Sequence, residues 1–177
     1  MNETGNPAKS LRESRIIAIS GKQYSGKDVL ADLILARLPA FRKTPLALAI
    51  KMEYANQHHL TLEALEANKA QHRPGLIALG NQRRATDPDY WLKQVLTQPG
   101  NLLISDMRLK REYDLLKQKG AFLIRLEADR AIRATRGHIV SENDPTENEL
   151  DTVTDWDLIL LNNQSVQALK NKLDSLF

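Results

Sequence analysis

Cysteine is absent from the 177 residues. That excludes a disulfide framework and any thiolate metal site, and it leaves no argument for an oxidising compartment. Aromatic residues are scarce, at 5%, and no basic stripe interleaved with aromatic rings occurs, so the usual footprint of a nucleic-acid reader is missing. Long apolar runs are missing too. Nothing approaches the roughly eighteen consecutive apolar residues of a membrane-spanning helix, and the polar stretch Met1 to Arg15 has no signal-type apolar core. The expectation is a cytoplasmic protein with no membrane partner. The four histidines, His58, His59, His72 and His138, show no metal-ligand spacing, and the adjacent pair would point apart on a helix. Neither sign of charge dominates: 25 Lys and Arg against 22 Asp and Glu leave a formal +3, a balance that gathers small phosphorylated anions as readily as nucleic acid.

What is present is the composition of an ordinary globular domain, 42% hydrophobic and 27% charged. The length supports one sizeable core, and one domain over residues 15–177 is expected. Residues 1–14, with Gly5, Pro7 and scattered charges, read as a flexible arm. Ile16 to Ser20 is a short apolar run before a glycine, the pattern of a strand buried on both faces. Asp28 to Leu38 follows with Leu30, Leu33, Ile34 and Leu38 at helical spacing. The alternation recurs, with a possible strand at Pro45 to Ala49, a clear one at Leu102 to Ser105 and a helix at Glu112 to Lys119 that ends at Gly120. Further strands are read at Ala121 to Leu126 and Asp157 to Leu161, and a last amphipathic helix at Val166 to Leu176. Strands alternating with helices imply an α/β fold, a parallel sheet covered on both faces. Between about 51 and 98 only helical patterns appear, which predicts a helical cap.

Gly21-Lys22-Gln23-Tyr24-Ser25-Gly26-Lys27-Asp28 fits the phosphate-loop pattern G-x-x-x-x-G-K, with Asp28 where Ser or Thr is usual. It begins where a buried strand ends and finishes where an amphipathic helix starts, so main-chain amides and the helix dipole converge on phosphate oxygens. Gly21 and Gly26 allow close approach of the backbone, and Lys27 sets an ammonium against the β- and γ-phosphates of ATP. The bland alternative is a glycine turn with a solvated Lys27 and a capping Asp28. Asp28 needs a cation nearby, and Mg2+, met directly or through water, is the candidate. Cofactor contacts are expected from Gly21, Lys22, Tyr24, Ser25, Gly26, Lys27, Asp28 and Val29.

Other residues fall where such a site would use them. Asp106 follows the strand at Leu102 to Ser105, at the sheet edge where open α/β folds bind ligands, and is the second candidate for magnesium unless it is a helix cap. Arg108 would face the same crevice with a planar fork suited to gripping the acceptor's phosphate, whose network Asp106 could reach as well, so both are also acceptor candidates. Arg130, Arg133 and Arg136 recur every three residues on one helical face before a polar, acidic stretch. They form either a lid over the donor phosphates or an ordinary solvated face. Arg83 and Arg84 precede a turn, Asp87-Pro88-Asp89, and are candidates for the acceptor's phosphate. Tyr90 and Trp91 read better as packing than as stacking groups. Lys51 and Tyr54 share one side of a helix and join the acceptor candidates. Asn162 and Asn163 follow the last strand, as amide contacts or as turn chemistry.

The loop Ser25-Gly26-Lys27-Asp28 after a strand resembles that of the animal-type phosphomevalonate kinases and the phage-type deoxynucleoside monophosphate kinases. Ala49 to Ala55, Ala78 to Trp91, Ile104 to Arg108 with Glu112 and Lys119 to Ala121, Arg133 to Gly137 and Trp156 to Asn163 agree in collinear order, so the resemblance spans Arg15 to the C-terminus. It implies a three-layer P-loop kinase of the nucleoside monophosphate kinase-like superfamily, with a five-stranded parallel sheet, a helical acceptor-binding region at about 51–98 and a mobile lid at about 131–150. It implies catalytic roles for Lys27, Asp106, Arg108, Arg133 and Arg136, with Arg133 and Arg136 the better lid candidates, and adenine contacts from Asn162 and Asn163. The implied reaction is transfer of the γ-phosphate of ATP to a small acceptor that already carries a phosphate. That acceptor is a nucleoside or deoxynucleoside monophosphate or a phosphomevalonate-like molecule, with dephospho-coenzyme A a more distant choice. The phosphomevalonate kinases carry further basic residues where this loop has Gln23 and Tyr24. A different reading is a regulatory ATP-binding module, possible in association with nucleic acid, although the arginines concentrate where acceptor and lid would need them. The oligomeric state stays open between monomer and homodimer.

Overall fold

A computed structural model describes residues 10–140 and 142–176. Along the chain the elements are β1 (Ile16–Ser20), α1 (Lys27–Arg37), β2 (Phe41–Lys43), α2 (Leu46–Gln57), α3 (Leu62–Ala67), α4 (Lys69–Thr86), α5 (Tyr90–Leu96), β3 (Asn101–Met107), α6 (Lys110–Gln118), β4 (Phe122–Glu127), α7 (Arg130–Arg136), α8 (Pro145–Asn148), β5 (Leu158–Leu161) and α9 (Val166–Asp174). They fall into two compact units. One holds the described residues up to Lys43 and from Gly100 onward; the other is Thr44–Pro99.

The first unit is built on an all-parallel sheet of order β2-β3-β1-β4-β5. β1 lies at its centre because Ile17, Ala18 and Ile19 are buried on both faces, and β-branched residues suit a strand with no solvated side. Each fully buried aliphatic side chain contributes roughly 1.5–3 kcal/mol, so this strand anchors the core. Leu30, Ala31 and Ile34 of α1 pack on the sheet with Leu169 and Leu173 of α9. Ser165 starts α9 by accepting the amide of Ala168 at 3.2 Å, and an Arg37–Asp174 ion pair ties α9 to α1. β1 and β4, and β1 and β3, meet at the crevice where the strand order reverses, the usual ligand edge of an open α/β sheet. Between β1 and β3 the register slips by one residue, from Ala18 opposite Ile104 to Ser20 opposite Met107. The irregularity falls beside Asp106, and bulges of this kind re-aim side chains near sites.

The second unit packs α2 to α5 around Tyr54, Ala55, Leu65, Leu79 and Trp91. The indole Nε1 of Trp91 donates to the carbonyl of Gly80 at 3.1 Å inside this core, and Tyr90 meets Trp91 edge-on. Both aromatics are packing groups, as their sequence context indicates.

Two expectations are corrected. Pro45 to Ala49 is not a strand: Pro45 is the N-cap of α2, and the Leu and Ala residues after it favour the helix that an apolar run alone cannot distinguish from a strand. The edge strand is instead the three-residue β2, in which only Phe41 is buried. Of the expected flexible arm, residues 1–9 lie outside the described residues, while Leu11 is buried in the sheet core. Among the described residues no helix is long and apolar enough to cross a membrane.

Candidate active site

The loop after β1 has the conformation its sequence demands. Lys22 to Ser25 form a tight turn closed by the amide of Ser25 on the carbonyl of Lys22 at 3.1 Å. Tyr24 takes a left-handed conformation within it, φ 59°, a geometry that costs a residue with a Cβ about 1–2 kcal/mol. Gly26, at φ 99°, is the N-cap of α1, and a Cβ there would lie 2.6 Å from Nδ2 of Asn162. The amides of Gly26, Lys27, Asp28 and Val29 precede the first intrahelical bond, from Leu30 to the carbonyl of Gly26 at 3.0 Å. They are the donors that a helix start leaves for an anion. The Ser25 hydroxyl is buried inside the turn without a hydrogen-bond partner, a further polar group that a bound polyphosphate would satisfy.

Lys27 bends back over the loop, its ammonium donating to the carbonyls of Gly21 at 2.6 Å and Lys22 at 3.0 Å. Burial, and next the Arg108 guanidinium, push its pKa down to about 8, against the opposing pull of the Glu147, Asp28 and Asp106 carboxylates. The five charged groups therefore share one neighbourhood. Asp28 is exposed on the first turn of α1, with Oδ1 3.0 Å from the Lys43 ammonium, which also reaches Asp32. The cation that Asp28 requires is supplied, in this structure, by Lys43. Val29 is partly exposed beside it.

The arginine face of α7 meets the loop from its carbonyl side. Buried Arg133 donates to the carbonyls of Ala128 and Gln23, both at 3.2 Å. Arg136 donates to those of Tyr24 and Ser25 at 3.3 Å and of Asn162 at 2.7 Å. Arg130 is exposed and forks onto Glu142. The ring of Tyr24 packs against Gly137 at the end of α7. Asn162 is buried and donates to the carbonyl of Ser25 at 2.8 Å, while Asn163 accepts the amide of Asp129 at 2.8 Å, just before α7. Both asparagine side chains thus brace the loop and the segment before α7, and the main chain of Asn162 is engaged as well, its amide donating to the carbonyl of Glu127 at 2.7 Å and its carbonyl accepting Arg136.

The acidic stretch after α7 is better built than its sequence announces. Asp144 caps α8 by accepting the amide and hydroxyl of Thr146 at 2.9 and 2.6 Å, which holds its carboxyl below the ordinary range. Pro145 occupies the first helical turn. The segment is tied to the phosphate loop throughout. The Gln23 side chain donates to the carbonyl of Val140 at 2.7 Å and accepts its amide at 3.2 Å, and Lys22 pairs with Asp151 at 2.6 Å and reaches Asn148 at 3.2 Å. Asp151 also receives the buried Arg125 of β4 at 2.7 Å. Glu147, buried, accepts the amide of Gln23 at 2.8 Å with one oxygen and the Arg108 guanidinium with the other. Glu112 accepts the amides of Arg108 and Leu109 at 2.8 and 3.0 Å and so fixes the turn after β3. The sequence singles out none of Arg125, Glu147 and Asp151, and Gln23 only as a member of the loop. The signal for Glu147 was present as Asp144-Pro145-Thr146-Glu147, a helix start with cap, N1 proline and N3 acid.

In the second unit a groove of about 220 Å³ is lined by Ala47, Ile50, Leu76 and Ile77, with Lys51, Arg73 and Arg84 as its cations. Lys51 pairs with Glu66. Tyr54 and Arg83, the other acceptor candidates in this unit, do not line the groove. Tyr54 is buried, its hydroxyl 3.4 Å from Nδ1 of His72. Arg83 is held by Glu53, at 2.7 Å from Nε, under the ring of Tyr90.

The family model for phosphomevalonate kinase matches residues 19–122, more than half of the chain. The chain belongs to the phosphomevalonate kinase family. Over 183 residues it is 27% identical to the phosphomevalonate kinase of Drosophila melanogaster, covering 92% of this chain and 96% of that protein. The shikimate kinase of Aquifex aeolicus vf5 superposes with a TM-score of 0.52 at 12% identity, over 90% of this chain and 94% of that one. This second likeness speaks to fold, and it supports the three-layer P-loop architecture expected from the sequence. Family and fold together make the chain an ATP-dependent phosphotransferase acting on a phosphorylated acceptor.

Proposed function

We propose that the chain transfers the γ-phosphate of ATP to the phosphate of a short aliphatic acid monophosphate, of the phosphomevalonate kind, making a diphosphate. The observation that favours an aliphatic acceptor over a nucleotide is the lining of the second unit's groove, which is alkyl and cationic and has no aromatic ring among the described residues. A nucleobase is normally held by stacking on a ring, whereas a methylated carbon chain needs only alkyl contact. Arg84, Lys51 and Arg73 supply charge for a phosphate and a carboxylate, with arginine suited to bidentate contact.

On the donor side, Gly21 to Val29 would receive the polyphosphate through main-chain amides. Lys27 would turn from the loop carbonyls to the β- and γ-oxygens, and Arg108, Arg133 and Arg136 would offset charge at the loop. Tyr24 and the main chain at Asn162 and Asn163 would border the nucleotide. The acceptor phosphate is already nucleophilic, so no base is required; alignment and charge neutralisation carry the reaction. Magnesium would come with the nucleotide. Asp28 and Asp106 are hard oxygen donors in the neighbourhood of Lys27, and among the described residues no cluster of three ligating side chains forms a self-sufficient metal cage. Asp28 and Asp106 would be the residues to hold such an ion, and it would supply positive charge that screens the phosphates.

The test is ADP release with phosphomevalonate, a deoxynucleoside monophosphate, dephospho-coenzyme A and single-stranded DNA offered in turn. Turnover confined to phosphomevalonate is the expected result. Turnover only with a nucleoside monophosphate would reassign the acceptor, and DNA-stimulated hydrolysis would replace the kinase reading with the regulatory one.

A further inference from the structure

Glu147 is a buried carboxylate that neither donor nor acceptor binding uses, its side chain only 4% exposed. Taking a carboxylate out of water costs several kcal/mol unless partners satisfy it. Its partners are telling. One oxygen accepts the main-chain amide of Gln23, in the middle of the phosphate loop, and the other accepts Nη1 of Arg108, just beyond the end of β3. The carboxylate reaches both from a single helical turn preset by Asp144 and Pro145. That turn is fixed in place on both sides, by Gln23 on Val140 and by Lys22 on Asn148 and Asp151.

We propose that Glu147 is a positioning residue for phosphoryl transfer, holding the Arg108 guanidinium at a fixed distance from the phosphate loop. The inference rests on the assignment of Arg108 and the loop to the transfer site. A long arginine side chain has many rotamers, and ordering it at the moment of reaction costs free energy. A carboxylate anchored to the loop backbone settles that orientation beforehand. Because the anchor is the Gln23 amide rather than a side chain, the guanidinium is referenced to the same main chain that would cradle the nucleotide. α8 therefore contributes to the geometry of the site through Glu147.

The experiment compares Glu147→Ala, Glu147→Gln, Arg108→Ala and the double variant Glu147→Ala with Arg108→Ala, reading kcat, both KM values and the melting temperature. Expected is a fall in kcat on the order of 10–100-fold for Glu147→Ala, the scale of a misplaced group at a reaction centre, with KM for ATP within about threefold. Glu147→Gln keeps one acceptor oxygen and should recover part of the loss. In the double variant the two losses should not add, because both remove one arrangement. Glu147→Gln, close to the native side chain in shape, keeps the test valid if Glu147→Ala melts early. Unchanged kcat in Glu147→Ala beside a crippled Arg108→Ala overturns this proposal alone. Tighter ATP binding with kcat unchanged or raised also overturns it, making Glu147 an occupant that phosphate displaces. Full kcat in Arg108→Ala would instead sink the underlying site assignment, whatever Glu147 does.

Discussion

Replacing Lys27 by methionine is expected to reduce phosphoryl transfer by about a thousandfold or more and to leave the fold no less stable. The first half follows from where charge develops. The transferring group spreads negative charge over its equatorial oxygens, and removal of one preorganised donor at such a centre typically costs on the order of 10²–10³ in kcat, with a full charge worth more than a neutral donor. The second half follows from the burial of the ammonium. Lys27 has its pKa depressed from 10.5 to about 8, chiefly by burial, which corresponds to roughly 3 kcal/mol of opposition to the charged form. For a lysine with a lowered folded pKa, that opposition applies at pH values below about 8 and fades as pH rises from there to the unfolded value, because the unfolded chain then holds the extra proton. Methionine fills similar space without the charge, so near neutral pH its gain offsets the lost bonds to the carbonyls of Gly21 and Lys22. Melting curves at neutral pH and ADP-release rates check both halves. The parent should also lose ADP affinity, measured without magnesium, by about tenfold for each pH unit above about 8, since phosphate binding must then restore a proton to Lys27. Full turnover in the methionine variant is incompatible with the loop as the donor site.

The neighbouring arginines Arg83 and Arg84 should separate cleanly. Arg84→Ala is expected to raise KM for the acceptor by about thirty- to a hundredfold, the value of one charge-assisted bond to phosphate at roughly 2–3 kcal/mol, and to leave KM for ATP unchanged. Arg83→Ala should change acceptor KM by less than about threefold, because Arg83 is committed to Glu53 and the ring of Tyr90. Its cost should appear in stability instead, and should be small for a pair this exposed. Reversal of that order would mean that Glu53 releases Arg83 to the acceptor and that the groove beside Arg84 serves another purpose.

The sequence exposes the central strands and the phosphate loop because each follows from local physics. A buried parallel strand needs an unbroken apolar run, a tight anion-binding turn needs glycine, and a helix start needs open amides; residues 16–38 satisfy all three. Edge strand β2 escaped because three residues with one buried side chain have no periodicity to read. α4 runs unbroken through Pro74 and Gly75, two residues that locally disfavour a helix interior, and Gly75 sits where a Cβ would lie 2.6 Å from the ring of Tyr54. Tertiary packing decided that position. Site residues divided along the same line. Lys27 is fixed by its motif, whereas the work of Glu147 and Arg125 depends on partners 124 and 105 positions away in the chain. Arg83 and Arg84 are equivalent on paper. Which of the two meets Glu53 is set by the packing of α2 and α4.

The most direct measurement is a phosphorus NMR time course of the protein with ATP, magnesium and phosphomevalonate. Two new mutually coupled resonances of a diphosphate ester should grow in step with ADP, showing that the γ-phosphate has moved onto the acceptor's own phosphate. Growth of inorganic phosphate alone, or ATP left intact with every phosphorylated acceptor tried, would contradict the proposed transfer.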